Sequence, residues 1–387
     1  MSKQQLNVGM VGYKFMGKAH SSAYASLPLF FDAGVPVCRR ALCGRDADWL
    51  AQSAKRFGWE TVETDWKRLV SRSDIDIIDI TAPSDTHHDI AVAAAENGKH
   101  VFCEKPLALT LGHAREMLEA VRKNKVTHQI GFNYRFVPAV QLAKKLIDEG
   151  KLGTIRRVRA SYLQDFIIDP AFPLVWRLQK SVCGSGSLGD LGAHFIDLAR
   201  FLTGEFKSVT GIQKTFVKRR PLVGRSEGLG AKADGSAYGD VDVDDATVFF
   251  AEFESGALGV FEATRFAQGH KNDLSLEIGG DRGSIRFSFE RMNELEYFSA
   301  DDDQETQGFR LIQASDSVHP YMQAWWPAGH VIGYENTFVH ELYEFVSAIT
   351  HEKPASPDFE DGVKCAQVIE AVELSAARRA TVDVAEL

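Results

Sequence analysis

Asp190 and His194 stand four residues apart in GSGSLGDLGAHFIDLARFLTG (184–204). That spacing puts them on one face of a helix. Leu191, Phe195, Leu198 and Leu202 form a separate apolar stripe that would seat the helix, and Asp190, His194 and Asp197 run beside it as a polar stripe. Polar groups next to a buried stripe need partners or a function. An imidazole titrates near neutrality, so it can take a proton from a hydroxyl as hydride leaves the same carbon. A nearby carboxylate can orient the ring or hydrogen-bond the substrate. A structural His–Asp pair inside a packed helix has the same pattern, and the residues alone leave both readings open. The spacing of Asp190, His194 and Asp197 also permits metal ligation, but nothing else in the chain supports a metal, and none is expected. Asp197 is read as structural.

GMVGYKFMGKAH (9–20) follows the apolar run LNVGMV and opens a stretch with Met16, Ala19, Ala23 and Leu27 at helical spacing. Gly12 and Gly17 occupy the first and third positions of a GxGxxG fingerprint, with Lys14 in the middle, flanked by Phe15 and Met16. A helix N-terminus placed there offers free N–H groups and partial positive charge to a pyrophosphate. A broken fingerprint is weak by itself, and a plain strand–helix turn reads equally well. At the end of the next strand, ALCGRDADWL puts Gly44 where an NAD site usually carries an acid for the ribose 2′-hydroxyl. Arg45 follows, and with Lys14 it tilts the expectation within NAD(P) towards NADP. In the other reading Arg45 is solvated and Asp46 serves the ribose.

Residues 6–130 alternate apolar runs with amphipathic stretches: strands at 6–11, 35–43, 75–81, 100–105 and 126–132, helices at 15–27, 46–57 and 86–97, and a helical face of Leu111, Ala114, Leu118 and Val121. This alternation predicts an α/β fold with a doubly wound parallel sheet of the Rossmann type. After residue 135 the pattern changes. Helices are expected at 138–149, 187–203, 335–350 and 360–379. Strands at 154–166, 208–217, 246–254, 257–266, 273–280 and 283–290 are joined by short Gly or Asp turns, which predicts an α+β domain with a large, open, mainly antiparallel sheet. The Gly-rich stretch 221–241 reads as a long mobile loop. The expected domains are 1–133, binding dinucleotide, and 134–387, binding substrate and oligomerising, with the helix at 360–379 packing back towards the first.

HVFCEKPLALT (100–110), with Glu-Lys-Pro at a strand end, resembles the Gfo/Idh/MocA oxidoreductases. TAPSDTHHDIAVAAAENGKH (81–100), GFNYRFVPA (131–139), the 184–204 segment and FEDGVKCAQVIEAVELSA (359–376) are similar to further landmarks of that family, over essentially the whole chain. The resemblance implies a dehydrogenase moving hydride between a CH–OH carbon of a pyranose, anhydrosugar, glycoside or cyclitol and a nicotinamide cofactor. It implies His194 as base, Asp190 as its orienting partner and Lys105 at the reacting hydroxyl, where a partly desolvated ammonium relays protons or stabilises a developing alkoxide. It places Glu104 near the nicotinamide ribose and Pro83 and Ser84 along the cofactor, with His87 and His88 as helpers or as partly solvated caps. Lys14 and Gly44-Arg45 depart from the family pattern. Two neighbouring readings keep the fold: oxidation at C3 of a glycoside followed by elimination, and a non-catalytic dinucleotide sensor.

Substrate contacts are expected from Tyr134 and Arg135 at the junction and from Gln164, Asp165, Trp176 and Arg177. An indole with Arg, Gln and Asp suits the apolar face and hydroxyl rim of a pyranose, although Trp176 also suits an ordinary core. Trp325, Trp326 and His330 form an aromatic loop that closes the cleft or simply packs.

The formal net charge of −9 argues against a nucleic-acid partner bound over a broad basic surface. No apolar run approaches the roughly 20 residues of a membrane span, and MSKQQLNVGMVG lacks the features of a signal peptide. Five scattered cysteines read as reduced thiols of a cytoplasmic protein. A homodimer or homotetramer is expected from the open sheet.

Overall fold

The computed structural model describes residues 4–227 and 230–387. By contact the chain parts into two compact units. The first runs to Asn133 and takes back Tyr334–Ala366; the second holds Tyr134–Ser226, Ala231–Gly333 and Gln367–Leu387. The expected domain 134–387 therefore loses its 334–366 segment to the first unit. Hydrogen bonds bind that segment there: Gln129 Nε2 donates to Glu341 O at 3.0 Å and Asn133 Nδ2 to Thr337 Oγ1 at 2.9 Å.

In the first unit the elements are β1 (Leu6–Val11), α1 (Phe15–Phe30), β2 (Val37–Cys43), α2 (Ala47–Phe57), β3 (Thr61–Glu63), α3 (Trp66–Ser71), β4 (Ile77–Ile80), α4 (His87–Glu96), β5 (His100–Glu104), α5 (Leu111–Asn124) and β6 (His128–Gly131). The strands are parallel in the order β3-β2-β1-β4-β5-β6. This is the doubly wound order, and its direction reverses between β1 and β4, where ligands of such sheets bind. β4 is buried at every position and β1 at all but Asn7, as strands covered on both faces must be. β3 and α3 escape the sequence reading. The strand has three residues, none buried, and the helix buries only Leu69 and Val70, so neither has a period to detect.

The second unit begins with α6 (Pro138–Asp148) and β7 (Ile155–Leu163). After the one-turn α7 (Lys180–Cys183), a π-helical turn at Leu188–Gly192 leads into α8 (Ala193–Thr203). There follow β8 (Phe206–Lys214), β9 (Arg219–Glu227), β10 (Gly230–Asp240), β11 (Ala246–Phe253), β12 (Leu258–Thr264), β13 (Asp273–Gly280), β14 (Gly283–Ser288), β15 (Glu294–Ser299) and β16 (Arg310–Gln313). α9 (Tyr334–Thr350) belongs to the first unit, α10 (Phe359–Arg378) divides at Ala366, and β17 (Val382–Asp383) closes the chain.

A nine-stranded sheet runs β16-β15-β14-β13-β7-β12-β11-β8-β17. Only β7 and β12 pair in parallel; the other neighbours are antiparallel. β11 and β12 alternate buried and outward positions. α8 is seated on the buried face through Phe195, whose ring lies 5.6 Å from Phe261 and 6.1 Å from Phe249.

Two expectations are corrected. The 221–241 stretch is not a loop: β9 and β10 form a two-stranded sheet, with residues 228 and 229 outside the described residues. A glycine-rich segment shows no side-chain alternation, so a ladder made by backbone groups is invisible in its sequence. The arm is anchored by the fully buried Arg220, which donates to Ile167 O at 2.6 Å and Asp169 O at 2.8 Å. The helix expected at 187–203 is α-helical only from Ala193, because its first turn is π.

Candidate active site

In the first unit, the turn between β1 and α1 is a cradle that side chains would fill. Gly12 has φ +114°, and a Cβ there would sit 2.6 Å from Thr81 Oγ1. A Cβ on Gly17 would sit 2.3 Å from Gly12 O. The close backbone approach that brings the N-terminus of α1 to the strand end therefore requires both glycines. The middle position makes no such demand. Lys14 has φ −83°, which any L-residue accepts, and its side chain is exposed. These residues fit the pyrophosphate of a dinucleotide. Phe15 is 40% exposed and stacks on Tyr334 at 6.4 Å, and Met16 is half-buried.

The step from β2 to α2 explains the missing acid. A Cβ at Gly44 would lie 2.1 Å from Tyr13 Cε1. The tyrosine ring, not a 2′-phosphate, accounts for the glycine. Arg45 is exposed, and Asp46 caps α2 by accepting from Asp48 N and Trp49 N at 3.1 and 3.0 Å. The tilt towards NADP thus loses its geometric ground.

At the ends of β4 and β5, Pro83 leads into a 3-10 turn beginning at the buried Ser84. His87 is buried, with its ring nitrogens 2.9 Å from Ala82 O and 3.0 Å from Pro106 O. Burial pulls its imidazole below the ordinary value, against the pull of those carbonyls. His87 therefore braces the strand ends. His88 bonds Asp89 and Glu116 at the surface. Glu104 is buried and Lys105 half-buried, joined to Pro106 by a cis peptide bond.

In the second unit His194 opens α8, 7% exposed, with its ring stacked on Tyr134 at 4.4 Å. The Tyr134 and Tyr162 hydroxyls are 2.8 Å apart. Tyr162 donates to Asn272 Oδ1 at 2.6 Å, and Gln164 Nε2 reaches the same oxygen at 2.8 Å. His194, Tyr134 and Gln164 are thus brought into one network, through Tyr162 and Asn272, which carry no motif in the sequence.

Asp190 lies in the π-helical turn, a feature frequent at functional sites. Its Oδ2 is 4.0 Å from Arg177 Nε and 3.8 Å from Nη1 of the fully buried Arg265. The Arg177 guanidinium lies 4.3 Å over the Trp176 ring, and Trp176 also packs on the apolar cluster of Ile167, Leu178 and Val243. Asp190, Arg177 and Trp176 form a second group. Asp244 anchors this turn. It accepts from Gly186 N at 2.9 Å, Leu188 N at 3.0 Å and the Ser187 and Thr247 hydroxyls.

Arg135 is 4% exposed and grips Asp197 with two hydrogen bonds, at 2.7 and 2.5 Å, which engages its guanidinium within the fold. Asp197 is structural accordingly. Asp165 turns to Lys271 Nζ at 2.6 Å, and that bond holds its carboxyl below the usual range. Trp325 is half-buried, Trp326 is 55% exposed, and His330 Nδ1 bonds Pro327 O at 2.8 Å.

Residues 6–132 match the oxidoreductase family with an NAD-binding Rossmann fold, and residues 140–286 match the GFO/IDH/MocA C-terminal domain. The chain belongs to the Gfo/Idh/MocA oxidoreductase family. It is 43% identical to levoglucosan dehydrogenase of Pseudarthrobacter phenanthrenivorans, over 99% of both chains. An oxidoreductase domain protein from Kribbella flavida superposes with a TM-score of 0.94 at 48% identity, covering 99% of this chain and 100% of that one. A levoglucosan dehydrogenase in complex with NADH and levoglucosan superposes at 0.93 with 43% identity, covering 98% and 100%. Among the described residues no helix is long and apolar enough to cross a membrane.

Proposed function

We propose that the protein is an NAD-dependent dehydrogenase that removes hydride from a CH–OH carbon of a pyranose or anhydrosugar of the levoglucosan kind. The observation that carries this reading is the glycine cradle at Gly12 and Gly17, which a Cβ at either position would fill, in a chain that also keeps Lys105, Asp190 and His194. A bound nicotinamide supplies the hydride acceptor. The backbone at Gly12–Gly17 and the N-terminus of α1 hold the pyrophosphate. Asp46 accepts from the adenosine ribose, while Pro83, Ser84 and Glu104 line the nicotinamide end. His194 takes the hydroxyl proton, Asp190 orients, and Lys105 stabilises the developing alkoxide. Gln164, Trp176 and Arg177 hold the sugar. A panel of sugars, anhydrosugars and cyclitols assayed with NAD and NADP in parallel tests this. The expected result is turnover of an anhydrosugar or pyranose with NAD preferred. No cofactor reduction across the panel would overturn the reading.

Self-association through the open sheet belongs to the same reading. Ile212, Val248, Phe250, Leu258 and Val260 are 40–75% exposed on the outer face of β8, β11 and β12. Val248 pairs with Ile212, and Phe250 with Val260. A contiguous apolar patch of this kind marks an interface, and the partner we assign is a second copy of the chain. Light scattering should show a dimer or tetramer, and Phe250→Glu should dissociate it. A monomeric wild type would refute the assignment. The five cysteines are thiols and not disulfides, which suits a reducing, cytoplasmic setting.

A further inference from the structure

Four ionisable side chains are sealed together in the first unit. His20 on α1, Asp79 on β4 and Glu341 on α9 are wholly buried, and Glu104 at the end of β5 is 5% exposed. His20 Nδ1 lies 3.0 and 2.9 Å from the two Asp79 oxygens, and Nε2 lies 2.9 Å from Glu104 Oε1. Ionised carboxylates only accept hydrogen bonds, and a neutral imidazole has a single N–H. Both ring nitrogens can therefore donate to these carboxylates at once only when His20 is an imidazolium. Phe102 packs edge-on to the ring at 5.3 Å, and Phe338 lies 5.6 Å away. A ring so enclosed has one orientation. The second Glu104 oxygen accepts from Lys105 N at 3.2 Å. A bonded path thus runs from Asp79 through His20 and Glu104 to the Lys105 peptide.

The charges around this path are unequal, with three carboxylates facing one imidazole. Ligand atoms of Glu341, Glu104 and His20 lie within 4.8 Å of one another, and neither Glu341 oxygen has a hydrogen-bond partner among the described residues. Burial pushes Glu341 well above the usual carboxylate range; His20 opposes this, and Glu104 and Asp79 add to it. For His20 burial acts downward, but Asp79 and Glu104 outweigh it and hold the imidazole well above its ordinary value. Tyr24 on α1 and Cys103 on β5 are buried and also feel Asp79, and burial pushes both upward and keeps them neutral.

We propose that His20 is a positioning residue for hydride transfer: as an imidazolium donating to both Asp79 and Glu104, it fixes the Glu104 carboxylate and, through it, the Lys105 peptide. A neutral Glu341 completes the cluster. The proposal rests on the reading that Lys105 works at the reacting oxygen. A divalent cation held by His20, Glu104 and Glu341 is the competing occupant. In that case Nε2 would carry a lone pair towards the metal and no proton.

Neutron diffraction of the deuterated wild-type protein at about pH 8 reads the ring directly. Deuterium on both Nδ1 and Nε2 is expected. Deuterium on one nitrogen only, or a stoichiometric metal in the dialysed protein, would overturn the proposal whether or not any variant folds. In solution His20→Gln should lower kcat about tenfold or more while the KM for NAD stays within about threefold. A folded His20→Gln enzyme with kcat within about twofold of wild type, beside an inactive Lys105→Met, would remove the positioning role and leave Lys105's role intact. Full turnover by Lys105→Met would remove both.

Discussion

Tyr134 lies nearly flat against His194, with ring centroids 4.4 Å apart and planes 25° from parallel. Phe289 packs 4.3 Å from the Tyr134 ring, and Tyr162 holds its hydroxyl. The imidazole is therefore aimed by a tyrosine that is itself locked at both ends. His194→Asn should lower kcat by about 10²–10⁴-fold with NAD affinity retained. Tyr134→Phe keeps the stack and loses only the hydroxyl network, so it should lower stability by about 1 kcal/mol and leave most of kcat. Tyr134→Leu loses the stack and should lower kcat much further. Steady-state kinetics and cofactor titration on the three variants check the order. Equal kcat for the Phe and Leu variants would show that the stack does not aim His194.

The Tyr13 ring occupies the space in which an acid at position 44 would stand. Introducing one should harm the enzyme. Gly44→Asp is expected to destabilise by about 1–3 kcal/mol through overpacking and to bring no gain in NAD affinity. Wild type should prefer NAD over NADP by about fivefold or more, on the order of 1 kcal/mol. Arg45→Ala should leave that ratio nearly unchanged, whereas Asp46→Ala should weaken NAD binding. Fluorescence titration with both cofactors decides. A large loss of NADP binding in Arg45→Ala would restore the role that the sequence suggests for Arg45.

The doubly wound sheet is legible because β1, β4 and β5 are apolar runs between helices with clear periods, and Glu-Lys-Pro marks a strand end. Asp190 and His194 are legible as types and spacing, but the π-helical turn that carries Asp190 is not, since its hydrogen bonds to Asp244 reach a partner more than 50 residues away. The Asp197 partner of Arg135 is not legible, because it stands 62 residues away in sequence. Tyr162, Asn272 and Arg265 come from separate strands and loops, and only folding gathers them. His20 stands in the quoted cofactor loop, yet its meaning lies with Asp79, Glu104 and Glu341, which the chain supplies 59, 84 and 321 residues later.

Asp244 ties the turn that carries Asp190 to the sheet through two backbone N–H groups and two hydroxyls. Asp244→Ala would leave the Gly186 and Leu188 N–H groups and the Thr247 hydroxyl without that acceptor, while Ser187 Oγ keeps Ala263 O at 3.1 Å, at about 1–3 kcal/mol for each group that finds no substitute. The expected loss is about 3 kcal/mol or more in stability, with a fall in kcat as Asp190 loses its anchor. Asp244→Asn retains one acceptor oxygen and should lie between. Urea unfolding and kinetics on the pair check this. Wild-type stability for Asp244→Ala would mean that water replaces the carboxylate there.

Glu341 makes the stability of the fold depend on pH in a definite direction. Its folded pKa is raised, by burial first and by Glu104 and Asp79 besides. Between the unfolded value, about 4.3, and the folded one, the native chain holds a proton that the unfolded chain has lost. Stability is then fully present below the unfolded pKa and falls as pH rises towards the folded pKa, by at most about 1.4 kcal/mol per pH unit. His20 acts with the same sign. Its folded pKa is also raised, so its contribution is full below about pH 6.5 and is lost as pH rises through the folded value. Glu341→Gln removes the first of these slopes and keeps the shape of a neutral acid. Relative to wild type, the variant should therefore gain stability as pH rises above about 5 and stop gaining once pH passes the folded pKa of Glu341. Unfolding curves for both proteins across that range measure the difference. Parallel curves would show that Glu341 is ionised in the native state, and the cluster would then need a cation to balance it.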